Sequence, residues 1–191
     1  HTFAPDAREA REHMTIVDDA IGRLVDDHPE ATVLVTADHG MSAKTRMVDL
    51  KAVLARRGIR SNPVPIIKDR YAVHHSNLGG CIFVYLEPGD MHKMNEALKV
   101  LRDTPGVESA FARDQAVEEF RLHRDRIGDI VVTGGPDVVF GDPNEIALPP
   151  RLRSHASAHE RSVPIIGYNG DFEGFSFEEN RDVGRYIFER V

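Results

Sequence analysis

Ala31-Thr32-Val33-Leu34-Val35-Thr36 runs without a break into Ala37-Asp38-His39-Gly40-Met41. The first six residues are short, apolar and rich in β-branched side chains. Such a run suits a strand covered on both faces, as in a parallel sheet. Upstream, residues 6–28 read as an amphipathic helix. Ala7, Ala10, Met14, Val17, Ile21, Leu24 and Val25 recur at helical spacing. Asp6 stands where an N-cap belongs, with Glu9 as its capping-box partner. Asp27-His28-Pro29-Glu30 closes the helix. Helix, short loop and buried strand follow the rhythm of an α/β domain, and this sets the expected fold class as α/β with a parallel-sheet core.

Downstream, residues 48–57 read as a short helix stopped at Gly58, and the pattern changes from about residue 70. Strands are expected at Cys81-Ile-Phe-Val-Tyr-Leu86, at 107–112, at 129–133 and at 138–140. Helices are expected at 90–102 and 115–121. The resulting β-α-β-α-β-β order resembles a split β-α-β satellite with a sheet of its own. Asp142-Pro143-Asn144 and Pro149-Pro150 mark the way out. Val163-Pro-Ile-Ile-Gly-Tyr168 reads as a return strand, and residues 177–191 end in a helix. The expected division is therefore a core from 1–64 and 146–191, with a smaller α+β domain inserted at 65–145.

The chain has 191 residues, 41% hydrophobic and 29% charged, which is a globular balance. A net charge of -7 argues against a non-specific nucleic-acid or anionic-membrane binder. No apolar run approaches the roughly 20 residues of a membrane-spanning helix. The single cysteine, Cys81, leaves no internal disulfide framework and no cysteine-rich zinc module. Ten histidines bring metal or acid–base chemistry forward. The chain starts at His1 rather than Met, so the expectation is a C-terminal portion of a longer protein.

Asp38 and His39 follow the buried strand directly. The carboxyl end of a parallel strand is where α/β sheets place ligands. Adjacent Asp and His at such a turn can reach one metal, since carboxylate oxygen and imidazole nitrogen both suit zinc. The competing reading is a helix start, with Asp38 as N-cap, Gly40 as the turn and His39 in solvent. A second cluster is Arg153-Ser-His-Ala-Ser-Ala-His-Glu160. His155 and His159 would share one face of a helix, but a loop histidine is more often solvated. His74-His75 read either as site residues or as polar residues at the start of a strand.

Taken together, these segments resemble the alkaline phosphatase superfamily, and within it the phosphonoacetate hydrolases. His1-Thr-Phe-Ala-Pro5 is similar to the end of that family's Asp-x-x-x-His element, and Asp18-Asp-Ala-Ile-Gly-Arg-Leu24 to the helix pattern after it. Thr36-Ala-Asp-His-Gly-Met41 resembles the metal motif. Asp69-Arg-Tyr-Ala-Val-His-His-Ser-Asn-Leu-Gly79 and Val84-Tyr-Leu86 resemble the opening of the satellite domain. Asp125-Arg-Ile-Gly-Asp-Ile-Val-Val132 is shared with nucleotide pyrophosphatase/phosphodiesterase relatives. Leu152-Arg-Ser-His155 with Val163-Pro-Ile resembles the last metal-ligand element.

The resemblance implies a two-metal phosphoryl-transfer site. His1 and His155 would share one zinc ion, and Asp38 and His39 would bind a second. The nucleophilic Thr would lie upstream, so no catalytic nucleophile is expected in this chain. Two metals about 4 Å apart clamp the attacking and leaving oxygens of an in-line displacement. The implied reaction is cleavage of phosphonoacetate to acetate and phosphate through a phospho-threonine. The implied partners are a small anionic phosphonate near Arg151 and Arg153 and a second copy of the chain in a homodimer, with neither nucleic acid nor membrane. The implied location is cytoplasmic. The rival readings are a type I phosphodiesterase or nucleotide pyrophosphatase on the same metals, and a non-catalytic metal-binding fragment. Two departures stand out. Ala156-Ser157 follows His155 where the family leads one to expect glycine, and His159 is a rival ligand.

Overall fold

The computed structural model describes residues 3–67 and 78–190. They fall into two compact units, one running from Met41 to Glu160 and the other combining Phe3–Gly40 with the segment from Arg161 onward.

In the first unit, Ser61–Pro65 (β4), Cys81–Leu86 (β5), Val107–Ala112 (β6) and Ile130–Gly134 (β7) form an antiparallel sheet in the order β4-β5-β7-β6. Apolar residues on β5 point to both faces in turn. Ile82, Val84 and Leu86 join a core with Leu50 and Leu54 of α2 (Leu50–Ala55) and Ala97, Leu98 and Leu101 of α3 (Met94–Arg102). Cys81 and Phe83 face the other way, toward Ala116, Val117 and Phe120 of α4 (Arg113–Phe120). The sheet is therefore covered on both faces by helices. Asp49 caps α2 by accepting from Ala52 N at 2.9 Å, and Gly58 ends the turn after it with φ +65°.

Three short strands complete this unit. Arg46–Val48 (β3) pairs in parallel with Val138–Phe140 (β8), the one parallel pair among the described strands. Ser42–Ala43 (β2) pairs antiparallel with Arg153–Ser154 (β9), in the register Ser42↔Ser154 and Ala43↔Arg153.

In the second unit, Val33–Thr36 (β1) pairs antiparallel with Ile165–Tyr168 (β10). Arg8–Asp27 (α1) has no buried residue. Arg181–Arg190 (α5) buries Tyr186 against Phe172, Phe175 and Phe177, with ring centroids 5.1, 5.2 and 5.7 Å away. Asp182, in the first turn of α5, accepts from Glu178 N and Glu179 N, both at 2.8 Å, and so holds the chain that leads into the helix.

The chain is α/β, as its composition of elements led us to expect, but its sheets are mixed rather than parallel. β1 is not the doubly covered parallel strand expected of Ala31–Thr36. Its partner β10 runs antiparallel, and Val33, Leu34 and Val35 are only half-buried. An apolar run announces burial but carries no information about the direction of a partner some 130 residues away. Asp6 does not cap α1; its N-cap is Ala7, with no side-chain bond. β8 does not return onto β7 as a hairpin neighbour but crosses to β3. The strands at Cys81 and Ile130 do share a sheet that excludes Val33–Thr36.

Candidate metal centre

The segment after β1 is held by Thr36 and Asn180. Thr36 Oγ1 lies 2.9 Å from Pro164 O and 2.6 Å from Asn180 Oδ1, and Asn180 Nδ2 donates to Ala37 O at 2.6 Å. This braces the chain one residue before Asp38. No helix follows, since Met41 leads into β2, so the N-cap reading of Asp38 falls. The Asp38 side chain turns back on its own neighbour, with Oδ1 accepting from His39 N at 3.0 Å.

His39 Nδ1 lies 2.9 Å from Gly40 O. A carbonyl only accepts, so Nδ1 is the donor in this contact. Nε2 stands 3.4 Å from Asp38 Oδ2. Ligands bound at about 2.0–2.2 Å to one tetrahedral zinc stand about 3.3–3.5 Å apart. The Asp38–His39 pair fits a shared metal on that measure.

His155 lies in the other unit, directly after β9. Its carbonyl accepts from Gly80 N at 2.8 Å. Ala156 follows with φ +79°. Left-handed backbone is what glycine adopts without strain, which explains why glycine was expected here. Ser157 and Glu160 bracket the 3-10 turn Ala158–Glu160, with Ser157 Oγ accepting from His159 N at 3.2 Å. Glu160 Oε2 accepts from Ser157 N at 2.8 Å and from Ser157 Oγ at 2.7 Å. Glu160 Oε1 accepts from Lys44 Nζ at 3.0 Å and from the Ser42 hydroxyl. Burial alone pushes the Glu160 carboxyl up, but the hydrogen bonds from Ser42, Ser157 and Lys44 outweigh it and bring it to about 2.

His159 is engaged elsewhere, with Nε2 3.0 Å from Glu108 Oε2. Arg153 donates to Met41 O at 2.9 Å, which ties it to the backbone just before β2. Cys81 is buried, and that burial pushes its thiol up to about 12, so it supplies no thiolate at neutral pH. His1, His74 and His75 lie outside the described residues. Among the described residues no three His, Cys, Asp or Glu side chains gather into a metal shell. Asp38 and His39 come together within one unit, and His155 stands in the other.

Sequence reasoning missed Lys44, Glu160 and Asn180. Ser157-Ala-His-Glu160 carries the capping-box spacing, so Glu160 was findable. Nothing local marks Lys44, whose partner is 116 residues away.

The family described as type I phosphodiesterase / nucleotide pyrophosphatase matches residues 1–161. Phosphonoacetate hydrolase from Sinorhizobium meliloti 1021, solved with phosphonoacetate, is 31% identical over 87% of this chain and 42% of its own, with a TM-score of 0.78. The same enzyme solved with phosphonoformate gives a TM-score of 0.79 over the same shares. Human ectonucleotide pyrophosphatase / phosphodiesterase 5 is 15% identical over 88% of this chain and 43% of its own, with a TM-score of 0.60, a likeness of fold alone. The chain thus spans less than half the length of these relatives. Among the described residues no helix is long and apolar enough to cross a membrane.

Proposed function

The chain belongs to the type I phosphodiesterase / nucleotide pyrophosphatase family, and from that membership we propose that it is part of a zinc-dependent hydrolase cleaving the carbon–phosphorus bond of phosphonoacetate to acetate and phosphate. The observation that carries the reading is the Asp38–His39 pair, whose facing atoms stand at the separation of two ligands on one metal. The 31% identity to a phosphonoacetate hydrolase favours a phosphonate over other phosphoryl substrates.

In this reading Asp38 and His39 hold one zinc ion, and His155, with His1, holds the other. When bound, the ions supply Lewis-acid stabilisation of the transferred group and lower the pKa of a hydroxyl nucleophile. The protein's share is orientation. Gly40 O fixes the His39 tautomer, and Asn180 and Thr36 fix the turn that presents Asp38. The nucleophile is a threonine upstream of this chain that forms a phospho-enzyme. Residues 65–145 serve as a cap that narrows access, and Arg151 and Arg153 flank a small anionic substrate. The enzyme is cytoplasmic and pairs as a homodimer.

The family match also favours a second reading, hydrolysis of a phosphodiester or nucleotide pyrophosphate on the same metals. The full-length protein loaded with zinc separates them. Release of acetate and phosphate from phosphonoacetate is the expected result. Hydrolysis of a nitrophenyl phosphodiester with no phosphate from phosphonoacetate would establish the second reading. Metal binding with neither activity would leave a non-catalytic metal-binding protein.

A further inference from the structure

The Lys44–Glu160 ion pair is among the most buried polar features of the chain, with Lys44 1% and Glu160 3% exposed. A buried ion pair is weak evidence for stability, because desolvation offsets most of its Coulombic gain. The geometry here shows what it orders instead. One carboxylate oxygen faces β2, receiving Lys44 Nζ and the Ser42 hydroxyl, while Lys44 Nζ also donates to Pro136 O at 2.9 Å. The other oxygen faces the turn after His155, receiving the amide and hydroxyl of Ser157. Between His155 and Ser157 stands Ala156 at φ +79°, a conformation an alanine leaves when it is free to do so. It is not free, since His155 O is held by Gly80 N on one side and Ser157 by Glu160 on the other. Ser157 also packs so closely on Gly80 that a Cβ there would come within 2.6 Å of Ser157 Cβ.

We propose that the Lys44–Glu160 pair acts as a clamp that holds Ala156 left-handed and thereby sets the orientation of His155, making Glu160 a positioning residue for metal binding. This rests on the reading of His155 as a zinc ligand.

The test is zinc affinity of the full-length protein by competition with a chromophoric chelator. Lys44→Met with Glu160→Gln removes both charges and orphans neither. It should weaken one of two zinc equivalents about tenfold or more and leave the other unchanged. Adding Ala156→Gly should restore most of that affinity, because glycine holds positive φ without a clamp. Ala156→Gly alone should change little. A merely structural pair would weaken both equivalents alike and would not be rescued at residue 156. Either result overturns the proposal, as does an unchanged affinity. Should the double variant not fold, Ser157→Ala decides. It leaves the ion pair and should weaken the same equivalent by about fivefold, and no change there refutes the clamp. A wild-type protein that binds no zinc brings down the hydrolase reading and the clamp together. Zinc binding that the variants leave untouched brings down the clamp alone.

Discussion

The two units make opposite use of similar sequence patterns. From Met41 to Glu160, β5 and β7 send alternate residues into two cores, and α2, α3 and α4 cover both faces. In the other unit α1 carries helical apolar spacing over twenty residues, yet none of its residues is buried, and Met14, Ile16 and Leu24 stand exposed. Ile166 and Tyr168 on β10 and Phe188 on α5 are exposed as well. Amphipathicity states which face a helix can bury. It does not state whether the chain supplies something to bury it against. The same contrast runs through the candidate ligands. Asp38 sits on an exposed turn braced by Asn180, whereas His155 sits on a turn anchored through a buried carboxylate.

The largest expected effect tests the ligands. In the full-length protein, His155→Ala should abolish phosphate release from phosphonoacetate and remove about one zinc equivalent, with the far-ultraviolet circular dichroism unchanged. His159→Ala should do neither, because its ring is engaged by Glu108. Metal content that follows His159 would reverse the assignment.

Next in size is a core truncation. Leu54 is fully buried between the helices and the sheet. Leu54→Ala should cost about 2–5 kcal/mol, read as a lowered urea midpoint.

A smaller, pH-dependent effect comes from Glu160. Its folded value, about 2, lies below the ordinary 4.5. A depressed carboxylate stabilises the fold above its unfolded value, and that contribution is lost as pH falls through the folded one. Unfolding midpoints should therefore decline between pH 4.5 and about 2. The decline should be shallower in Lys44→Met with Glu160→Gln, and an equal decline in both proteins would detach Glu160 from acid sensitivity.

The smallest expected effect is Met14→Ala. On an exposed helix face it should stay within about 0.5 kcal/mol by the same urea titration. A cost as large as that of Leu54→Ala would mean α1 is covered in solution, and the contrast between the units would collapse.

Much of the local structure was readable. Cys81–Leu86, Val107–Ala112 and Val138–Phe140 match the expected strands to the residue, because alternation and β-branching are properties of contiguous sequence. The helix expected over 90–102 is divided into a 3-10 turn, Pro88–Lys93, and α3, a distinction that apolar spacing does not encode. β2, β3, β4 and β9 were invisible, since two to five residues with Arg, Pro or Ser among them carry no period.

Sequence by itself determined which residues could ligate and where the chain would turn. The adjacency of Asp38 and His39 and the spacing of Ser157 and Glu160 are local facts. Only the tertiary structure decided what those residues face. Strand direction at β1, the crossing of β8 to β3 and the choice of Lys44 as the partner of Glu160 each depend on segments about 90 to 130 residues apart. Such contacts are selected by burial and by the need to satisfy buried charge, and both are properties of the folded chain as a whole.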